Sequence, residues 1–186
     1  MTPLFPTLFE QVVFWGILVL YFGAVLVWIV RHRSKEGGRR LDFVPLILLA
    51  IPAVIAIGYA RVGVLPDWLF YPGELLFIAG SAFTLWSYSL LGRYLSPYVQ
   101  VFPGHELIER GPYRYIRHPG YLGQIIAFIG LGLVLQSWVA LVVIVAAACS
   151  VLTHRIRLEE KFMATRLGDS YVDYMTRSRR LLPFVW

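Results

Sequence analysis

Two stretches of this chain hold the side chains able to do chemistry. The first, residues 100–123, reads Q-V-F-P-G-H-E-L-I-E-R-G-P-Y-R-Y-I-R-H-P-G-Y-L-G. It carries His105 and His118, three arginines (Arg110, Arg114, Arg117) and three prolines (Pro103, Pro112, Pro119). The second is Arg155-Ile156-Arg157-Leu158-Glu159-Glu160. Arg155 and Glu159 stand four apart, so a helix there turns both to one side. The segments 105–108 and 113–121 offer imidazoles, phenols and backbone groups close together. Each proline discourages helix at the residue before it and removes a backbone donor. A shaped loop is therefore expected, closing where Pro119 starts a helix, and such a loop is expected to hold a ligand. No G-x-G-x-x-G follows a strand, which excludes a Rossmann cofactor domain, and no H-E-x-x-H, nucleophile elbow or P-loop is present. If a nucleotide-like cofactor binds, loops and helix ends must build its site.

The run Gly111 to Gly123, followed downstream by R-I-R-L-E-E, resembles the isoprenylcysteine carboxyl methyltransferase family, and phospholipid N-methyltransferases are similar in the same places. The resemblance covers roughly 100–184. Leu167-Gly168-Asp169-Ser170-Tyr171-Val172-Asp173-Tyr174 follows the family's F-G-x-x-Y-x-x-Y, with Leu167 where phenylalanine is usual, and Leu181-Leu182-Pro183-Phe184 matches its closing segment. The resemblance implies an integral membrane enzyme that uses S-adenosyl-L-methionine. It implies cofactor contacts at Gln100, His105, Glu106, Leu107, Ile108, Tyr113, His118, Pro119, Gly120, Tyr121 and Glu159, with Arg155 facing the substrate. Arg155 and Glu159 are the expected catalytic pair. Arg155 would position an acceptor carboxylate through a charge-assisted pair, and Glu159 would hold the cofactor's ammonium or neighbouring polar groups. The expected reaction is a direct in-line displacement, with the acceptor arriving from a membrane-side tunnel and the cofactor from the cytoplasm. Orientation alone is worth about 7–11 kcal/mol in such reactions.

Plainer readings stand beside these. Arg155 and Glu159 also fit a surface helix pair worth about 0.3–0.5 kcal/mol. His118 also fits a loop residue set by Pro119. Arg110, Arg114 and Arg117 also suit anionic headgroups, Arg114 best of the three. Tyr113, Tyr115 and Tyr121 suit an aromatic belt at the membrane interface, Tyr115 best. Within the methyltransferase reading the acceptor is a lipophilic or lipidated molecule, an isoprenylcysteine-like carboxylate first. A phospholipid amine or small thiol is the alternative, although an amine would need a base that the motif does not offer. More distant alternatives are a nicotinamide-dependent sterol reductase and a non-catalytic membrane binding protein. The sterol reductases, which the C-terminal half also resembles, are longer with more spans.

The elements that must position these residues are apolar. The chain of 186 residues is 58% hydrophobic and 15% charged, with a mean hydropathy of +0.66. A soluble domain carries about 25% charged residues, so a membrane protein is expected. The net charge of +6 belongs to residues flanking apolar runs, which points to membrane and away from nucleic acid. One cysteine, Cys149, excludes an internal disulfide and a cysteine-based metal site, and no metal is expected. The first apolar run lacks a preceding basic region, so a cleaved signal peptide is not expected.

We expect one all-α membrane domain over 1–186, with five spans at about 9–30, 43–60, 75–91, 119–135 and 138–155. The cofactor site would form from 100–123 and 153–174. Pro52 should kink the second span, and Glu74 should cap the third. The last two apolar runs, 121–135 and 138–152, are separated only by Gln136-Ser137. Each gives about 22 Å of helix against a core of about 30 Å. Either they form a shallow hairpin, or each borrows length: Pro119 starts one, and 153–167 continues the other to a stop at Gly168. The second is favoured. Gly123, Ala127, Gly130 and Gly132 would allow close helix approach. Lysine and arginine mark the cytoplasmic side. Five spans put sixteen of the seventeen basic residues there, with the N-terminus outside and the C-terminus inside. The short chain resembles prokaryotic members, so a bacterial or archaeal cell membrane is expected.

Overall fold

Glycine spacing sets how the helices pack. The computed structural model describes residues 62–95 and 106–181, with Val12, Gly16, Val19 and Gly23 as further helical positions. Most of span 9–30, all of span 43–60 including Pro52, Gln100, His105 and the closing segment from Leu182 lie outside the described residues. Among the described residues the helices are α1 (Phe70–Leu91), α2 (Pro119–Val134), α3 (Trp138–Leu167) and α4 (Asp169–Arg177), with short 3-10 turns at Asp67–Leu69, Gly92–Tyr94 and Gly111–Arg114.

α1 begins five residues before the expected start. Pro72 is its third residue, where a missing N–H costs nothing. Glu74 is consequently inside the helix and does not cap it, and its Oε1 is buried without a hydrogen-bond partner. α1 and α2 lie backbone to backbone along a line of small residues. A Cβ on Gly73 would stand 2.8 Å from that of Leu133, and one on Gly123 would stand 2.5 Å from Thr84 Oγ1. Gly80 meets Ala127, and Gly130 meets Phe77, as closely. Thr84 Oγ1 bridges the contact, near its own Gly80 carbonyl at 3.0 Å and the Gly120 carbonyl at 3.1 Å. Interfaces of this type let apolar helices associate in lipid, where the hydrophobic effect between helices is weak. Gly132 serves α3 instead, against Leu141.

The Gln136-Ser137 turn is as tight as its length requires. Gln136 takes φ 52°, and Ser137 caps α3 by accepting from Ala140 N at 3.2 Å. α3 then runs unbroken for 30 residues through the apolar segment and the polar 153–167. It ends at Gly168, φ +59°, whose N–H reaches the Ala164 carbonyl at 3.1 Å. The borrowed length is therefore real for α3, whereas α2 stops at 16 residues. Helices around Asp67–Tyr94 and Trp138–Leu167 are long and apolar enough to cross a membrane. Beyond α4 the chain returns to the loop before α2. Ile116 bridges Arg179 in parallel, and His118 N donates to the Arg180 carbonyl at 3.1 Å.

Candidate active site

Pro119 opens α2, and His118 before it has φ −124° and ψ 57°, outside the helical region as a residue preceding proline should be. That places His118 at the mouth of α2 and Tyr121 one turn further on. Their rings stack, centroids 5.6 Å apart and planes 14° apart. On α3, Arg155 and Glu159 share the facing side. The Tyr121 hydroxyl donates to Glu159 Oε1 at 2.6 Å. Arg155 Nε–H is shared between the Tyr121 oxygen at 2.7 Å and Glu159 Oε1 at 2.8 Å. His118 Nδ1 lies 3.6 Å from Glu159 Oε2. Four expected site residues thus form one cluster that joins two helices. Arg155 is only 7% exposed, which rules out the surface-pair reading.

His118 is the unfinished member. Its side chain is 9% exposed, and Nε2 is buried with no hydrogen-bond partner. Glu160 Oε1, 3.6 Å away, is too far to satisfy it. A buried polar atom of this kind costs about 1–3 kcal/mol unless something else pairs with it.

Glu160 was not assigned a role from sequence. It is 4% exposed and held on both oxygens: Arg117 Nε donates to Oε1 at 2.7 Å, and Arg180 Nε donates to Oε2 at 2.8 Å. Arg117 also donates to the Met175 carbonyl at 3.1 Å and to the Ser178 carbonyl. Burial pushes the Glu160 carboxyl up, but the nearby His118 and the hydrogen bonds from Arg117 and Arg180 outweigh it and hold the group at about 2. Arg117 therefore points inward to the protein rather than outward to headgroups. The signal available was the second acid of the Glu159-Glu160 pair, set among basic residues.

The remaining expected residues are placed as follows. Tyr113 is buried, its carbonyl accepting from the Tyr174 hydroxyl at 2.6 Å. Burial first, then the neighbouring Tyr88, Tyr174 and Glu159, push its phenol well above the ordinary range. Burial first also raises Tyr174, to about 12. Pro119 and Gly120 are the first two residues of α2, and Gly120 lies against the ring of Tyr88. Tyr88 in turn accepts from Gln124 Nε2 at 2.7 Å. Glu106, Leu107 and Ile108 line a cavity of about 420 Å³ whose other walls include Leu90, Arg93, Tyr94 and Arg110. No described hydrogen bond joins those three to the His118 cluster. Arg114 and Tyr115 are exposed, with the guanidinium 5.8 Å from the ring centre. Among the described residues no group of three histidine, cysteine, aspartate or glutamate side chains is placed to hold a metal.

A model of the phospholipid methyltransferase family matches residues 68–170, which include every member of the His118 cluster. A probable protein-S-isoprenylcysteine O-methyltransferase of Oryza sativa subsp. indica is 25% identical over 181 residues, covering 90% of this chain and 93% of that protein. The protein-S-isoprenylcysteine O-methyltransferase of Saccharomyces cerevisiae is 32% identical over 81 residues, covering 44% of this chain and 34% of that protein. The eukaryotic intramembrane Ras methyltransferase, isoprenylcysteine carboxyl methyltransferase, shares the fold. Its structure matches with a TM-score of 0.69 at 18% identity, over 95% of this chain and 68% of that one.

Proposed function

The chain belongs to the phospholipid methyltransferase family, with isoprenylcysteine O-methyltransferases among its relatives, and is a membrane methyltransferase; from that premise we propose that it methylates a lipophilic, isoprenylcysteine-like carboxylate with S-adenosylmethionine as donor. The observation that carries the donor assignment is the orphaned His118 Nε2, buried beside Tyr121, Arg155 and Glu159.

The residues fit such a donor. It brings a cationic sulfur, an amino acid end with both charges, and an adenosine rich in hydrogen-bonding groups. Glu159 supplies negative charge, and its Oε2 is not the oxygen engaged by Tyr121 and Arg155. His118 Nε2 supplies a polar atom in need of a partner. Glu106, Leu107 and Ile108, with Tyr113, Pro119, Gly120 and Tyr121, complete the proposed cofactor contacts; Gln100 and His105 join them by resemblance. When bound, S-adenosylmethionine supplies a methyl group already activated for transfer to a nucleophile.

The chain's own work is then positioning. Two acceptors on one Nε–H fix the plane of the Arg155 guanidinium. A fixed guanidinium is suited to orient a carboxylate through paired N–H donors. A carboxylate is ionised at neutral pH and needs no base, which agrees with a cluster whose carboxylates are already paired. The five-span topology, N-terminus outside and C-terminus in the cytoplasm, belongs to the same proposal. It rests on the charge asymmetry of the sequence, and a reporter fused at the C-terminus should read as cytoplasmic.

The test is transfer of a labelled methyl group by the purified protein in nanodiscs to an S-farnesyl cysteine carboxylate. The expected product is a methyl ester, which releases labelled methanol in base. A base-stable product would instead indicate a nitrogen or sulfur acceptor, and no transfer to any lipid fraction would remove the proposal.

A further inference from the structure

Between Tyr121 and Val134, Gln124 is the one residue of α2 whose side chain can hydrogen-bond. A polar side chain in an apolar membrane helix is costly and calls for a partner, either a neighbouring helix or a ligand. Gln124 stands three residues after Tyr121, so the two share a side of α2. Their hydrogen bonds run in opposite directions. Tyr121 reaches Glu159 on α3 at 2.6 Å, and Gln124 Nε2 donates to the Tyr88 hydroxyl on α1 at 2.7 Å. Tyr88 is itself hemmed in, because a Cβ on Gly120 would stand 2.4 Å from its ring. The bond to Tyr88 uses one of the amide's two N–H donors and leaves its carbonyl unused. Gln124 is half-buried, and no described hydrogen bond reaches its Oε1. The α1–α2 contact has its own devices, the glycine approaches and the Thr84 bridge.

We propose that Gln124 is a specificity-determining residue for the methyl acceptor: its Oε1 accepts from an N–H that the acceptor carries beside its carboxylate, as an isoprenylcysteine amide does. The proposal rests on the function given above. Arg155 offers only donors, which suits the carboxylate. An N–H on the adjoining carbon needs an acceptor instead. Glu159 Oε1 is taken by Tyr121 and Arg155, whereas Gln124 Oε1, one turn further along α2, is open. By holding Nε2, Tyr88 fixes the amide and turns Oε1 away from α1's own hydroxyl. Gln124 therefore sets which acceptor is chosen and leaves the affinity for S-adenosylmethionine alone. An amide that only joined two helices would treat all acceptors alike.

The experiment measures methyl transfer by the full chain in nanodiscs to two acceptors. N-acetyl-S-farnesylcysteine has an amide N–H beside its carboxylate, and S-farnesylthiopropionate has a hydrogen in place of the acetamido group. The unaltered chain should favour the amide about tenfold in kcat/KM. Gln124→Met, close in shape and without the carbonyl, should bring the ratio to within about twofold of one, with KM for S-adenosylmethionine within about twofold of the parent's. Tyr88→Phe frees the amide from its anchor and should lower the ratio less. It serves as the second variant should Gln124→Met not fold. An unaltered chain that does not favour the amide, or a ratio unchanged in a folded Gln124→Met or Tyr88→Phe protein, overturns the inference and leaves the proposed function intact. No transfer to either acceptor by the unaltered chain overturns both.

Discussion

Tyr121 donates its hydroxyl proton to Glu159 at 2.6 Å, joining residues 38 positions apart in sequence. The same oxygen accepts from Arg155 at 2.7 Å. One phenol therefore links α2 to α3 and orders the Arg155–Glu159 pair that faces His118 Nδ1. Neither helix alone assembles the site; the glycine contacts that set α2 close to α1 and the Gln136-Ser137 turn that brings α3 back across α2 are both required.

Tyr121→Phe keeps the ring stacked on His118 and removes both hydroxyl contacts. Hydrogen bonds to charged groups contribute about 1.5–3 kcal/mol, so turnover should fall roughly ten- to hundredfold. The thermal melt should move little by comparison. Turnover equal to that of the unaltered chain would show that the Arg155–Glu159 geometry does not depend on the phenol.

Stability should depend on Glu160 in acid. Its folded pKa is about 2, against a reference of 4.5. A depressed carboxylate pKa means stability that is fully present above about 4.5 and is lost as pH falls towards 2. The loss is on the order of 3 kcal/mol. Melting temperature measured from pH 5 down to pH 2 should fall in the unaltered chain. Glu160→Gln should start lower and lose less across that window, and parallel curves for the two proteins would contradict the assignment.

Gly130 has no room for a side chain. A Cβ there would stand 2.5 Å from the Gly73 carbonyl and as close to the Phe77 nitrogen. Gly130→Leu should cost at least about 1–3 kcal/mol through forced separation of α1 and α2. The melting temperature should drop, and donor affinity should drop with it because α2 carries His118 and Tyr121 at its start. A variant as stable as the parent would mean that these helices do not pack as described.

The apolar runs and the glycine contacts were legible because their signals are local: hydropathy, length and small residues at helical spacing. The Gly168 stop and the Pro119 start were legible for the same reason. Arg155, Glu159, His118 and Tyr121 were legible through the family resemblance, and the i, i+4 spacing agreed with it. Glu160 belongs to the same motif, but its partners were not legible, because adjacent helical residues diverge by about 100° and nothing in the sequence says which face meets the tail. For Arg117 the headgroup reading stayed open because its partners lie 43 and 61 residues away, at Glu160 and Ser178. The early start of α1 was missed because Pro72 and Pro66 mark a connection in sequence, yet a proline within the first helical turn is no obstacle.

The most direct measurement of the central claim separates donor from acceptor at the cluster. S-adenosylmethionine is titrated by calorimetry into the unaltered chain, Glu159→Ala and Arg155→Ala, and methyl transfer is measured on the same preparations. The account predicts that Glu159→Ala loses donor binding, while Arg155→Ala keeps it and loses turnover. Donor binding and turnover unchanged in both variants would contradict it.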